Sequence, residues 1–180
     1  KNLPALRLEF QIIESTGAFS ATITDGTNGA DTSGFRIPWN GSTNPYPYSA
    51  SYNIGLHLRS ADLGKPAVPQ GDGYVRAVIS YTGVCNFTGR LADGTAFTAS
   101  SILGDNRQMV LFQMLNMNTG SILSSDFTQY VARRSDDALF FHHAEGSLRW
   151  IKDTQTAAAE RNYRAGIPET TLDMRGNSYL

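Results

Sequence analysis

Short strand candidates punctuated by turn residues recur every 10 to 14 residues across most of this chain, and that cadence constrains the fold more than any other feature. Asp25-Gly26, Asn40-Gly41 and Asp93-Gly94 are tight-turn pairs, because glycine accepts the positive φ such turns require. Between the turns lie short apolar or alternating runs, each a strand candidate. They are Leu6 to Glu14, Phe19 to Ile23, Gly34 to Trp39, Ser51 to Leu58 and Tyr74 to Tyr81. Phe87 to Leu91, Thr95 to Leu103, Gln108 to Leu115, Ser121 to Ser125 and Ser147 to Lys152 follow. Asn44-Pro45-Tyr46-Pro47-Tyr48 is irregular, since two prolines remove donors and fix φ. Asp126 to Asp137 is polar and reads as an exposed excursion with a helical turn. Thr156 to Arg164 holds Ala157-Ala158-Ala159-Glu160-Arg161 and predicts one short helical segment near the C-terminus. The spacing predicts an all-β, mostly antiparallel meander. An up-and-down β-barrel is favoured over a two-sheet β-sandwich, because meander turns recur and no Greek-key crossover is evident.

A chain of 180 residues is long enough for one domain over 1–180 with a sizeable core. The expected core draws on Phe10, Ile12, Phe19, Ile23, Phe35, Ile37, Trp39, Tyr52, Ile54, Leu56, Tyr74 and Val78. Phe87, Leu91, Phe97, Leu111, Leu148 and Trp150 complete it. An internal echo runs through the domain. Phe19-Ser20-Ala21-Thr22-Ile23-Thr24-Asp25-Gly26-Thr27 matches Phe87-Thr88-Gly89-Arg90-Leu91-Ala92-Asp93-Gly94-Thr95, and a Thr-Gly turn precedes each copy. Residues 6–40 thus echo residues 74–105, which predicts a pseudo-duplicated strand–turn–strand unit.

Composition excludes several functions. Lys plus Arg number 15 and Asp plus Glu 16, for a net charge of −1, so no cationic excess exists to displace phosphate counterions. Nucleic acid is not an expected partner. No apolar run approaches the length of a spanning helix and no polybasic patch faces a membrane, so no membrane insertion is expected. Cys85 is the single cysteine, which rules out an intrachain disulfide and reads as a small buried apolar residue. Abundant Thr, Ser, Asn and Gly with scarce Lys is a composition common among exported bacterial proteins.

The stretch from Ser51 to Gly166 carries a series of motifs in order. They are Ser51-Tyr52-Asn53-Ile54, Gly71-Asp72-Gly73-Tyr74, Phe87 to Thr95, Val110-Leu111-Phe112, Gly120-Ser121-Ile122-Leu123, Gly146 to Lys152, and Tyr163-Arg164-Ala165-Gly166. In these it resembles a β-rich module of very large exported bacterial surface proteins, which string Ig-like or other β modules together. It departs at Arg107, where a second turn glycine is expected, and in the longer link from Asp126 to His143. The resemblance implies an extracellular or cell-surface all-β module and carries no catalytic residues. Leu172 to Tyr179 reads as the boundary before a following module.

Candidate chemistry is sparse. His142-His143 beside Asp136-Asp137 holds metal-ligand types, yet adjacent strand residues face opposite ways and His57 is distant. Asp25 to Asp31 has the look of a calcium loop but lacks the full ligand pattern, so its acid is expected to bond its own turn. There is no Gly-x-Ser-x-Gly elbow for a serine nucleophile. No catalytic residue, metal site or cofactor is assigned. Trp39, Tyr46, Tyr48 and Tyr52 form the one candidate ligand-binding set, because exposed rings stack on sugar faces; buried, the same rings are core.

The function expected is a non-catalytic structural or adhesive module, located extracellularly or on the cell surface. A self-assembling fibre subunit is the alternative, using Leu6 to Ile13 for strand addition. A carbohydrate-binding module is another. The expected partners are neighbouring modules of the same polypeptide or identical subunits, with glycans a further candidate.

Overall fold

In the computed structural model the described residues are 5–15, 17–115, 121–133, 140–155 and 162–179. Contacts gather into two compact units, Lys1–Pro38 and Trp39–Leu180.

The first unit is a three-stranded antiparallel sheet: β1 (Arg7–Ile13), β2 (Ala18–Thr24) and β3 (Gly29–Phe35), in that order. Gly17, at φ 65°, turns β1 into β2, and Gly26, at φ 90°, turns β2 into β3. Register pairs Leu8 with Ile23, Phe10 with Ala21 and Ile12 with Phe19, so these six side chains share one face. The opposite face carries Arg7, Glu9 and Gln11, with Arg7 and Glu9 ion-paired. Among the described residues of this unit, the single layer of sheet has nothing to cover the apolar face.

The second unit holds β4 (Ala50–Leu58), β5 (Gly73–Ile79), β6 (Val84–Arg90) and β7 (Ala96–Ile102). They are followed by β8 (Gln108–Leu115), β9 (Ser121–Arg133), β10 (Phe140–Lys152) and β11 (Ile167–Tyr179). The strand order is β7-β6-β5-β4-β11-β10-β9-β8, antiparallel at every paired junction. Each strand ladders with its neighbour in sequence except at β7 and β8, and the first strand pairs with the last. That is the connectivity of an up-and-down barrel, nearly closed. The all-β expectation holds, and so does the preference for a barrel. The incomplete junction lies between β7 and β8, which meet at a Leu103–Met109 bridge. Gly104 N–H donates to the Gln108 carbonyl at 2.9 Å beside that bridge.

Alternation drives the barrel. Tyr52, Ile54 and Leu56 of β4 point inward, as do Val75, Ala77 and Ile79 of β5, Phe87 of β6, Leu111 of β8 and Trp150 of β10. At about 25 cal/mol per Å² of apolar surface, each of the Val, Ile, Leu and Phe side chains among these contributes roughly 1.5 to 3 kcal/mol against exposure.

Several expectations are corrected. Phe10, Ile12, Phe19, Ile23 and Ile37 are exposed rather than core, because the sheet carrying the first four has one layer. Phe35 and Trp39 are half-buried. Tyr74 is exposed and Val78 half-buried, since β5 faces the core on the opposite parity. A one-residue change of register exchanges the two faces of a strand. No strand spans Gly34 to Trp39; the third strand starts earlier, at Gly29, because the Asp25–Asn28 turn returns the chain at once. Asp126 to Arg133 continues β9 instead of leaving the sheet, and 134–137 lie outside the described residues. Leu172 to Tyr179 belongs to β11, which sits between β4 and β10. Its Ile167, Thr170, Leu172 and Met174 are buried while Glu169 and Arg175 face water. Of the helical segment read at Thr156 to Arg164, residues 156–161 lie outside the described residues, and 162–164 form no helix.

Two turn glycines separate backbone strain from packing. Gly94 has φ 93° with no atom near its would-be Cβ, so Gly94→Ala should cost about 1 to 2 kcal/mol for the left-handed conformation alone. Gly83 has φ 76°, and a Cβ there would strike the Trp39 ring, so Gly83→Ala should cost at least about 1 kcal/mol more. Urea midpoints at unchanged m-value measure both.

Candidate functional site

The two ends of the barrel are closed by different chemistry. At one end, the segment before β4 folds across the opening. Asn40 organises its first turn: its Oδ1 accepts the Ser42 and Thr43 N–H groups at 3.0 and 2.7 Å. Tyr46 N–H then donates to the Tyr81 carbonyl at 2.7 Å, holding the segment to the β5–β6 turn. Trp39 and Tyr46 meet edge to face at 4.7 Å, and Tyr46 and Tyr48 at 5.8 Å. Tyr48 also meets His142 of β10 at 5.4 Å and carries the Arg107 guanidinium over its ring at 5.2 Å.

These are the residues read from the sequence as a ligand-binding set, and they are packed as a plug. Tyr52 is 0% exposed in the barrel core and Tyr46 is 2% exposed. Trp39 and Tyr48 are half-buried against them. The Trp39 indole N–H donates to the Gly104 carbonyl at 3.4 Å. Burial pushes the Tyr46 hydroxyl far above the ordinary phenol range, so it stays protonated. Arg107, the residue standing where a turn glycine is expected, adopts φ 61°. Its side chain covers Tyr48, which offsets part of the cost of that conformation.

At the opposite end, Lys152 closes β10. Its Nζ donates to Asp93 Oδ2 at 2.8 Å, with side chains 3% and 0% exposed. Asp93 Oδ1 accepts the Thr95 N–H at 2.9 Å, and Oδ2 also takes the Thr95 hydroxyl at 2.8 Å. Lys152 reaches the Asn162 carbonyl at 3.5 Å as well. Nearby, the buried Ser121 hydroxyl accepts Asp153 N–H at 3.1 Å, and Gln155 Nε2 donates to the Asp153 carbonyl at 2.6 Å. Both carboxylate oxygens and the ammonium are committed to neighbours. This is an anchor between the β6–β7 turn and β10. The sequence reading placed Asp93 in its turn and missed Lys152. The available signal was a lysine, one of Lys1, Lys65 and Lys152 alone, directly after the apolar Trp150-Ile151.

The other candidates are dispersed. Asp25 Oδ1 accepts the Thr27 and Asn28 N–H groups at 2.9 and 2.7 Å, which hold its carboxyl below the usual range, Asn28 foremost. Its oxygens serve their own turn, as expected. Asp31 lies within β3 and accepts the Thr22 hydroxyl at 2.7 Å. His57 pairs with Asp72 at 3.2 Å, away from His142 and His143. Asp136 and Asp137 lie outside the described residues, among which no three metal-ligating side chains gather. Cys85 is buried, and burial pushes its thiol up to about 12.

No protein-family model, curated protein or solved structure matches the chain.

Two measurements check this geometry. Lys152→Met strands the Asp93 carboxylate and should cost about 3 to 5 kcal/mol, whereas Asp93→Asn combined with Lys152→Met should recover more than half of it. Equal losses in the single and double variants would show that the pair is not coupled. His142 provides the second check. Burial, and to a lesser extent Arg107, holds it below its ordinary value of 6.5. The unfolded chain therefore takes up the proton first as pH falls. Stability is full above about 6.5 and declines below it, toward the folded value. Urea midpoints between about pH 8 and pH 5 should fall less steeply for His142→Gln than for the wild type.

Proposed function

We propose that this chain is a non-catalytic structural or adhesive module of an extracellular or cell-surface bacterial protein. The observation that carries the reading is the β1–β3 sheet. Among the described residues its apolar face has no cover within its own unit, and Leu8, Phe10 and Ile12 are 58%, 66% and 60% exposed. A surface of that kind serves joining. The barrel, by contrast, fills both of its ends with its own side chains, which suits a scaffold. Its partners are neighbouring modules of the same polypeptide or identical subunits. The Lys-poor, Thr- and Ser-rich composition and the resemblance to exported β modules support the setting.

A second reading, a self-assembling extracellular fibre subunit, is favoured by β1 itself. The strand finds a partner in β2 of its own chain, so strand exchange is not required for it to fold. Its outer edge stays unpaired among the described residues, where another strand or sheet has access. A glycan partner has weaker support, since Tyr46 and Tyr52 offer no open ring face.

Antibody raised against the chain should label intact source cells. Labelling that requires permeabilised cells would overturn the surface setting. Light scattering with negative-stain microscopy on native material separates the two readings: regular polymers favour the fibre subunit, a monomer the tethered module.

A further inference from the structure

Among the described residues, Lys152 and Asp93 form the one ion pair whose side chains are both buried, at 3% and 0% exposure. Arg59–Asp173, Lys65–Asp62 and Arg149–Glu169 all lie where water reaches the pair. In water, solvation holds an ammonium and a carboxylate in their charged forms, and those forms do not react with each other. A dry pocket removes that hold and favours any step that takes both charges away together.

The hydrogen bonds around Asp93 are placed for attack on its Cγ. Oδ1 accepts the Thr95 backbone N–H at 2.9 Å, so negative charge that develops on this oxygen meets a fixed donor. Oδ2 accepts both the Thr95 hydroxyl and Lys152 Nζ at 2.8 Å, so the other oxygen already has two sources of protons. Cγ is one bond from Oδ2, which puts Nζ close to the roughly 3 to 3.5 Å separation of a near-attack arrangement.

We propose that Lys152 and Asp93 condense into an intramolecular isopeptide bond, Nζ to Cγ, with release of one water. One proton passes from Nζ to Oδ2 along their hydrogen bond and leaves a neutral amine beside a carboxylic acid. The amine lone pair attacks Cγ, and the electrons of the Cγ–Oδ1 double bond move onto Oδ1 beneath the Thr95 N–H. The Thr95 hydroxyl hands its proton to Oδ2 and regains one from Nζ. The Cγ–Oδ1 double bond then reforms, Cγ–Oδ2 breaks, and Oδ2 leaves as water with both protons. Ammonium plus carboxylate gives amide plus water, with no oxidant and no outside reactant. Oδ1 keeps the Thr95 N–H afterwards, and the new amide N–H has the Asn162 carbonyl, already 3.5 Å from Nζ, as its acceptor.

The bond would lie where this barrel lacks a brace. Cys85 is the single cysteine, so no intrachain disulfide is available. The closed loop runs from Asp93 to Lys152 and contains β7, β8, β9 and β10. It therefore encloses the β7–β8 junction, whose ladder stops at the Leu103–Met109 bridge. A cleft of about 340 Å³ parts Ala96 and Phe97 of β7 from Met114 and Leu115 of β8. Asp93 sits just before β7 and so ties that flank of the cleft to β10. This bond is a property of the barrel alone and does not depend on the setting proposed for the module. The ion pair is its reactant state, and the cost given for Lys152→Met is counted from that state; a linked wild type should lose more.

The test is the intact mass of the full chain, measured unfolded. Wild type should weigh one water less than its sequence requires. Trypsin should fail to cut after Lys152, and the digest should hold the Asp93 and Lys152 peptides joined. Lys65, 2.7 Å from Asp62 but open to water, should stay unlinked. Lys152→Arg keeps the positive charge but brings a guanidinium in place of the amine; it should fold, by near-UV circular dichroism, and keep its full mass. Thr95→Val keeps the backbone N–H and removes the hydroxyl, so freshly folded protein should lose water at least about 10-fold more slowly, with Thr95→Ser restoring the rate. A wild-type rate in Thr95→Val overturns the relay. Asp93-Gly94 could also lose water by closing to a succinimide, although Gly94 N–H is engaged with the Leu91 carbonyl at 2.9 Å. Water loss that persists in Lys152→Arg identifies that ring and overturns the isopeptide bond, as does a folded wild type of full mass.

Discussion

The barrel is pinned by one buried ion pair. Lys152 and Asp93 lie at the same end of the sheet but belong to β10 and to the β6–β7 turn, which three other strands separate in the strand order. Removing an ammonium and a carboxylate from water costs several kcal/mol per ion, and only good geometry offsets it. Here Asp93 takes three hydrogen bonds, two from Thr95 and one from Lys152, so the charge is satisfied where it sits. A polar pair of this kind does little for net stability against an apolar substitute, yet it penalises any arrangement in which the two walls are displaced. It thereby sets which end of β10 meets which turn. At the other end the Trp39–Tyr46–Tyr48 plug closes the opening by ring packing between neutral groups, tied down by the Trp39 and Tyr46 hydrogen bonds.

Closure has a second requirement, the pairing of β4 with β11. The two strands come from opposite ends of the barrel's sequence, and the backbones approach closely at Gly176. A side chain at that position would run into the Asn53 carbonyl of β4. The first-to-last junction is thus fully laddered, and the gap falls instead between β7 and β8. Their short connection places them side by side without holding them together past its own turn. The incomplete junction and the apolar outer face of β8 therefore occur on the same strand.

Much of the fold was legible because turns and alternation are local. Gln108–Leu115 can be read directly as a strand, and β4 nearly so. The miss at β11 has a physical cause. Its Pro168, Gly176 and Asn177 are turn-type residues, and only partners on both sides make Ile167–Tyr179 a strand. β3 is missed for the same reason, since its sequence is polar and glycine-containing and its ladder comes from β2. The parity of β5 escapes because Tyr74, Val75, Val78 and Ile79 offer apolar residues to both faces. Of the site, the aromatic cluster is visible in the sequence, but whether its rings face water is not. The Lys152–Asp93 pair joins residues 59 positions apart, and no local pattern announces it.

The echoed segments separate these two levels. Residues 6–40 and 74–105 both form three strands of seven residues with positive-φ glycines at matching turns, Gly17 with Gly83 and Gly26 with Gly94. The turns of both segments follow from the sequence alone, because glycine placement acts over a few residues. Burial does not. Phe19 is 39% exposed and its counterpart Phe87 is 1% exposed. The difference lies in the strands that close a barrel over β5–β7 and are lacking above the single layer of β1–β3. Only the tertiary structure decides which faces become core and which remain open, because burial depends on segments distant in the chain.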